Sequence, residues 1–269
     1  KCFHLLENNG ELVFIVPSDF LKLTSAVKII KEMMLNGTFT HIVHPNKENL
    51  FKNASIDIII FRYCKNKSLP KMTLFNGIAK HLIHTNGMIT FSDRSVTEQK
   101  IFQDYFKVAV GMVTGKESVY KNKELGNIRL LNKKDVKDDY ILVETFPTEK
   151  KELNEYLLEH KATLMGRKIK KFNESNWFEW GAPRNVKLIE NNIGKKCIYI
   201  SNLTRQTDIA FIDKVQYFGG ALIMLLPKEE IDLKKVVNYL NSDTFKKNFT
   251  YSGRFKIGHR QLSNSLCIF

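Results

Sequence analysis

Seven residues near the start of the chain, Glu11-Leu12-Val13-Phe14-Ile15-Val16-Pro17, set strong bounds on its fold. They form a continuous β-branched and aromatic run, introduced by Asn8-Asn9-Gly10 and closed by proline. A run with no polar alternation predicts a strand buried on both faces, as in a parallel sheet. Ser18 and Asp19 then offer N-caps to a helix over residues 20–35, with Leu21, Val27, Ile30, Met33 and Met34 as its apolar stripe. Asn36-Gly37 is the stop signal. A second strand over 39–43, a polar loop over 44–49 and a third strand over 56–63 follow. Three strands with one intervening helix read as the closing portion of a mixed α/β sheet whose earlier strands are missing.

The Lys-, Asn- and Ser-rich stretch 64–70 reads as a domain boundary, giving domains over 1–68 and 69–269. Beyond it, short strands are expected near 73–76 and 88–91, then a short helix or loop near 97–105 and a strand over 106–113. Further strands are expected over 140–145, 196–201, 209–212 and 221–226. Helical spacing recurs over 150–164 and 232–241. Sequence position 1 is Lys rather than Met, so the chain is expected to be a piece of a longer reading frame.

Forty-two Lys plus Arg against 28 Asp plus Glu leave a formal charge of +14 across 269 residues. An excess of that size suits a polyanion, because each cation on a phosphate releases a condensed counterion. A lysine-rich surface arising from codon bias gives the same sum, so arrangement matters more. Cations bunch in Gly166-Arg167-Lys168-Ile169-Lys170-Lys171-Phe172, in Lys195-Lys196, and in Arg254-Phe255-Lys256-Ile257-Gly258-His259-Arg260. The last cluster mixes glycine and phenylalanine with its cations, which suits a loop whose backbone approaches phosphates. Lys133-Lys134, followed by Asp135 and Asp138-Asp139, is balanced and reads as solvated surface.

Several chemistries are disfavoured. Neither G-x-x-x-x-G-K-[ST] nor G-x-G-x-x-G occurs, and Gly111-Met112-Val113-Thr114-Gly115-Lys116 reads as a strained turn or binding loop rather than a phosphate loop. No G-x-S-x-G elbow and no evident carboxylate pair is present. Cys2, Cys64, Cys197 and Cys267 lack C-x-x-C spacing, which argues against structural zinc and fits four free thiols in a reducing, cytoplasmic setting. No apolar run is long enough to span a bilayer. Phe51 stands in a polar loop directly before a buried run, where an aromatic face can stack on a base. Trp177 and Trp180 could stack in the same way or plug a core.

Two blocks, Asn9-Gly10-Glu11-Leu12-Val13-Phe14-Ile15-Val16-Pro17-Ser18-Asp19-Phe20-Leu21 and Leu50-Phe51-Lys52-Asn53-Ala54-Ser55-Ile56-Asp57-Ile58-Ile59-Ile60-Phe61, resemble the latter part of the catalytic domain of adenine-specific DNA methyltransferases of the TaqI and Eco57I type. Val110-Gly111-Met112-Val113-Thr114-Gly115, Asn238-Tyr239-Leu240-Asn241-Ser242 and Tyr251-Ser252-Gly253-Arg254-Phe255 resemble the beginning and end of that family's target-recognition domain. The final segment is similar to the HincII and HindII type of modification methylase. The resemblance implies the end of a Rossmann-like methyltransferase sheet followed by an α+β recognition domain, within a type II restriction-modification enzyme. It implies S-adenosylmethionine as cofactor, no metal, and double-stranded DNA as partner.

The family's cofactor loop and its Asn-Pro-Pro-Tyr acceptor motif do not occur; Pro17, Pro45, Pro70, Pro147, Pro183 and Pro227 include no adjacent pair. The chain alone is therefore expected to be inactive, with no catalytic residue of its own, and to need an amino-terminal catalytic portion. By the same resemblance, Phe51 packs against the extruded adenine, with Lys52 and Asn53 near the target strand. Major-groove reading needs Arg, Lys, Asn or Gln on polar loops. The candidates are Arg184, Asn185, Asn202, Arg205, Gln206, Arg254, Lys256, His259, Arg260 and Gln261. Pro17, Ser18 and Asp19 sit where open α/β sheets place ligands, although capping explains the last two equally well. The alternatives are a free-standing DNA-specificity subunit and an inactive methylase remnant.

Overall fold

The computed structural model describes residues 1–45, 57–96, 100–251 and 253–268. Among them no helix is long and apolar enough to cross a membrane. In chain order the strands are β1 (Glu11–Pro17), β2 (Thr38–Val43), β3 (Ile58–Cys64), β4 (Met72–Phe75), β5 (Ile78–Thr85), β6 (Met88–Ser92), β7 (Phe106–Val110), β8 (Ile128–Lys133), β9 (Val136–Tyr140), β10 (Lys196–Ser201), β11 (Leu203–Thr204), β12 (Ala210–Lys214), β13 (Leu222–Pro227), β14 (Thr250–Tyr251) and β15 (Arg254–Lys256). They fall in two compact units, one of Lys1–Tyr105, Leu203–Thr207 and Asn238–Phe269, the other of Phe106–Asn202 and Asp208–Val237. The architecture is mixed α/β.

The first unit is built on a six-stranded sheet in the order β1-β3-β2-β4-β5-β6. Its inner face, with Phe39, Ile42, Ile59, Phe61, Tyr63, Leu82 and Ile89, packs against Ile30, Met33 and Met34 of the helix Val27–Asn36. Full burial of each such side chain contributes roughly 1.5–3 kcal/mol. The Tyr63 hydroxyl also donates to the Met33 carbonyl at 2.8 Å, fixing helix to sheet. The β4-β5 and β5-β6 hairpins turn on Asn76-Gly77 and Asn86-Gly87, all at positive φ, as two-residue hairpin turns require.

Three expectations are corrected here. β1 is an edge strand, antiparallel to β3, and not a buried parallel strand. Leu12, Phe14 and Val16 face the core side, while Val13 and Ile15 on the outer face are 61% and 63% exposed. The helix begins at Val27 rather than Phe20. Two 3-10 turns, Phe20–Lys22 and Thr24–Ala26, precede it, separated by an extended Leu23, as the Phe20 ring stacks on Phe61 at 5.8 Å.

The third concerns the division at 68/69, which falls inside one sheet, because β2 and β4 pair in parallel across it. The polar stretch there is an ordered crossover. Asn66 donates to Asn9 at 2.6 Å and accepts from the Ser68 amide, and Lys71 Nζ caps the Met34 and Gly37 carbonyls. The carboxyl-terminal residues return to this sheet: Thr85 Oγ1 donates to Asn264 O at 2.6 Å, and the Asn248 side chain accepts from Phe91 N at 2.9 Å.

The second unit centres on an antiparallel sheet in the order β12-β10-β13-β7. Its core joins Cys197, Tyr199, Leu222 and Met224 to Leu153 and Leu157 of the helix Lys151–Glu159, and to Trp177 and Trp180. Both tryptophans are plugs, 2% and 1% exposed, and Trp180 Nε1 donates to the Ile141 carbonyl at 2.7 Å. The expected strand over 140–145 is instead β9, which pairs with β8 and ends at Tyr140.

Candidate nucleic-acid interface

β15 alternates exposed Arg254, buried Phe255, exposed Lys256 and, just beyond it, buried Ile257. Strand geometry therefore places both cations on one face while Phe255 anchors the strand below. β15 sits in the middle of a three-stranded sheet, β11-β15-β14, with Gly253 at φ +67 in the β14-β15 connection. Leu203 pairs with Lys256 and Thr204 with Phe255. The exposed Arg205 follows β11 directly. Lys246 Nζ donates to Thr207 O at 3.1 Å, tying the residues after β11 to the helix Asp243–Lys246. Forty-eight residues of chain lie between Arg205 and Arg254, and the β11-β15 pairing brings their segments together.

The neighbouring candidates serve differently. His259 is exposed at the start of the helix His259–Ser263. Arg260 Nη2 donates to the Asn86 carbonyl at 2.8 Å, docking that helix on the β5-β6 turn. Gln261 accepts from Gly258 N at 2.7 Å and donates to Lys22 O at 3.3 Å, so its amide is engaged in capping and docking. In the second unit Arg184 is exposed. Asn185, at φ +60, donates to Val110 O at 2.8 Å, and Asn202 donates to Gly220 O at 2.7 Å. Those two amides hold backbone in place. Phe51, Lys52 and Asn53 lie outside the described residues.

Two motifs singled out in the sequence are structural struts. Arg167 is buried: Nε, Nη1 and Nη2 donate to the carbonyls of Leu164, Thr114 and Trp177, and its guanidinium lies 3.8 Å from the Phe172 ring centroid. Burial lowers its pKa from the ordinary arginine value, while Tyr120 opposes the shift. Lys170, in the same run, is paired with Glu179 at 2.7 Å. That run is thus much less of a free cationic surface than its composition suggests. The loop Arg167 grips contains buried Thr114, and a Cβ on Gly111 would stand 2.1 Å from the Gly219 carbonyl oxygen. Gly111 is there for close backbone approach, not for a phosphate.

Among the described residues no group of His, Cys, Asp or Glu could hold a metal ion. The four cysteines are free, with Cys2 exposed and Cys64, Cys197 and Cys267 buried. Burial pushes the Cys197 thiol up to about 12, which leaves it unreactive.

No protein-family profile matches the chain. The type II methyltransferase M.MjaIV of Methanocaldococcus jannaschii is 27% identical over 181 residues, 57% of this chain and 60% of that protein. The type II methyltransferases M.HincII and M.HindII of Haemophilus influenzae are each 32% identical over 71 residues, 26% of this chain and 14% of theirs. The chain thus matches well under the full length of each. In fold it is similar to the type IIL restriction-modification enzyme MmeI, solved in complex with DNA, with a TM-score of 0.55 at 9% identity over 96% of this chain and 39% of that one. By sequence, this chain is similar to type II methyltransferases, in agreement with the resemblance carried by its own motifs.

Proposed function

We propose that this chain is the carboxyl-terminal, DNA-reading portion of a site-specific DNA adenine (N6) methyltransferase of a type II restriction-modification system. The observation that carries the reading is the small sheet that sets Arg254 and Lys256 on one face, with Arg205 directly after its strand β11, on a chain of net charge +14 whose relatives are methyltransferases. Strands β1, β2 and β3, within the expected catalytic end over 1–68, act as the end of a Rossmann-like catalytic sheet. Its unpaired β1 edge and the adjoining outer-face residues Val13, Ile15, Val43 and Leu74, each more than 40% exposed, support docking against an amino-terminal catalytic portion. An exposed apolar edge of this kind argues against a free-standing specificity subunit.

DNA enters as a duplex. Phosphates pair with Arg254 and Lys256, while Arg184, Arg205 and His259 reach toward phosphates or base edges. Phe51 stacks on the extruded adenine, returning part of the few kcal/mol that unstacking costs, with Lys52 and Asn53 beside the target strand. S-adenosylmethionine supplies the methyl group in the intact enzyme. The residues present here do not fit that cofactor. At the carboxyl end of β1 the Ser18 amide is engaged by Asp57 O at 2.9 Å and the Asp19 carbonyl by Lys22 N at 2.8 Å, and no glycine-rich cradle follows the strand. No methyl-transfer step is therefore assigned to this chain.

The test is methyl transfer to duplex DNA by the longer parent protein and by this chain, with the modified base identified by mass spectrometry of the nucleosides. The parent is expected to give N6-methyladenine and this chain no product. A methylated cytosine from the parent, or any methylated base from this chain, would overturn the proposal.

A further inference from the structure

In the second unit the β8-β9 hairpin ends in Lys133-Lys134-Asp135-Val136-Lys137, and its three lysines are exposed. Lys133 pairs with Val136, so Lys134 and Asp135 alone make the turn, with Asp135 at φ +58. In the sequence Asp138 and Asp139 balance these lysines, whereas in the structure both acids are committed elsewhere. Asp138 is paired with Lys121 at 2.9 Å and Asp139 with Arg129 at 3.2 Å. Burial works to raise the Asp138 pKa, but hydrogen bonds from Asn132 and Lys121 and the fields of Lys121 and Lys133 outweigh it, and the carboxyl sits below its ordinary value. Among the described residues none of Lys133, Lys134 and Lys137 forms an ion pair. The tip therefore carries three ammonium groups against the one carboxylate of Asp135.

The root of the hairpin is braced. Leu130 and Leu131 are buried in the unit's core, and a register shift between Leu131 and Lys133 falls at Asn132. Asn132 Nδ2 donates to Asp138 Oδ2 and to the Tyr140 hydroxyl, both at 2.8 Å, and that hydroxyl donates to Glu117 Oε2 at 2.8 Å. A network satisfied in this way fixes both strands, so the tip lysines stand on a rigid base. Guarding the β9 edge against strand pairing accounts for Lys137 alone, because Lys133 ends β8 and Lys134 lies in the turn. Resting on the reading above, we infer that this hairpin is a further DNA contact, a finger whose three lysines lie along the duplex phosphates. A lysine ammonium is a compact point charge, which suits a phosphate better than a bidentate base edge. The finger thus supplies affinity and orientation and leaves sequence choice to other loops.

The experiment is fluorescence anisotropy of a labelled duplex across a salt series, with this chain as wild type and in three variants. One is Lys133→Gln/Lys134→Gln/Lys137→Gln, one is Asp135→Asn, and the third, Lys123→Gln/Lys150→Gln/Lys151→Gln, removes three other exposed lysines of the same unit as a control. Every substituted side chain is exposed, and asparagine tolerates the positive φ of Asp135, so the wild-type urea midpoint is expected throughout. At about 0.9 per phosphate contact, the slope of log affinity against log salt should become shallower by about 2–3 in the hairpin variant and by less than about 1 in the control. Asp135→Asn, which removes the one acid at the tip, should bind a few fold tighter. Duplex binding by wild type with equal slopes in the hairpin variant and the control, or no gain from Asp135→Asn, overturns this inference and leaves the DNA-reading proposal standing. Absence of duplex binding by wild type at low salt overturns that proposal and the inference with it.

Discussion

Replacing Lys22 by Met should stabilise the first unit, and the gain should depend on pH in a definite direction. Burial lowers the Lys22 pKa to about 8 from the lysine value of 10.5. At pH 7 a shift of that size costs the folded state about 3 kcal/mol, at 1.36 kcal/mol per unit. Methionine fills a similar volume without charge, but it gives up two cation–ring contacts, with Phe91 and Phe249, of about 0.5–1 kcal/mol each; the attraction of Asp19 is already contained in the net shift. The net expected gain is about 1–2 kcal/mol at pH 7. The sign follows from proton counts: between about pH 8 and 10.5 the unfolded chain binds more protons at Lys22 than the folded one, so wild-type stability rises through that window. The advantage of the variant is therefore full below about pH 8 and lost by about pH 10.5.

Urea unfolding at pH 7 and pH 10 measures it. Because Trp177 and Trp180 both belong to the second unit, tryptophan fluorescence reports that unit alone, and circular dichroism change without a fluorescence counterpart belongs to the first. A variant less stable than wild type at pH 7, or an advantage unchanged between the two pH values, would refute the reasoning.

Two further substitutions probe the second unit through tryptophan fluorescence in urea. Gly111→Ala forces a Cβ to within 2.1 Å of the Gly219 carbonyl oxygen, so a loss of about 1–3 kcal/mol is expected; an unchanged midpoint would contradict the close approach. Arg167→Ala removes donors from the carbonyls of Leu164, Thr114 and Trp177 and empties the space over Phe172. The expected cost is about 1–3 kcal/mol for each buried carbonyl left unsatisfied. If DNA affinity fell while the unfolding midpoint stayed fixed, Arg167 would be a surface contact after all.

Elements with a strong period were legible in the sequence. The strands Lys196–Ser201 and Leu222–Pro227 and the helix Leu233–Asn241 fall within a residue or so of their expected bounds, and the helical stretch expected over 150–164 is two helices, Lys151–Glu159 and Lys161–Met165, broken at His160. The strand Ile78–Thr85 was missed because His81, His84, Lys80 and Thr85 dilute its apolar pattern, although the Asn-Gly pairs at 76–77 and 86–87 marked both of its hairpins. The composition shift at 64–70 misled, since Asn66 and Lys71 are polar in order to cap backbone in a crossover. The division actually seen rests on Asn248 and Asn264 returning to β5 and β6, a contact over some 160–180 residues that no local pattern announces.

The same limit applies to the sites. Arg254 and Lys256 could be found because an i, i+2 pair around a phenylalanine is a local signal. Arg167 carries the same kind of signal, yet is buried by a carbonyl 53 residues away. The burial of Lys22 carried no signal at all, because it depends on Phe91 and Phe249.

The most direct test of the central claim is the affinity of this chain for a duplex across a salt series, with wild type and Arg254→Ala/Lys256→Ala side by side. Each phosphate contact contributes about −0.9 to the slope of log affinity against log salt. The account expects salt-dependent binding whose slope becomes shallower by about 1–2 in the double variant. Duplex binding with an identical slope in both proteins, or no binding by wild type at low salt, would contradict it.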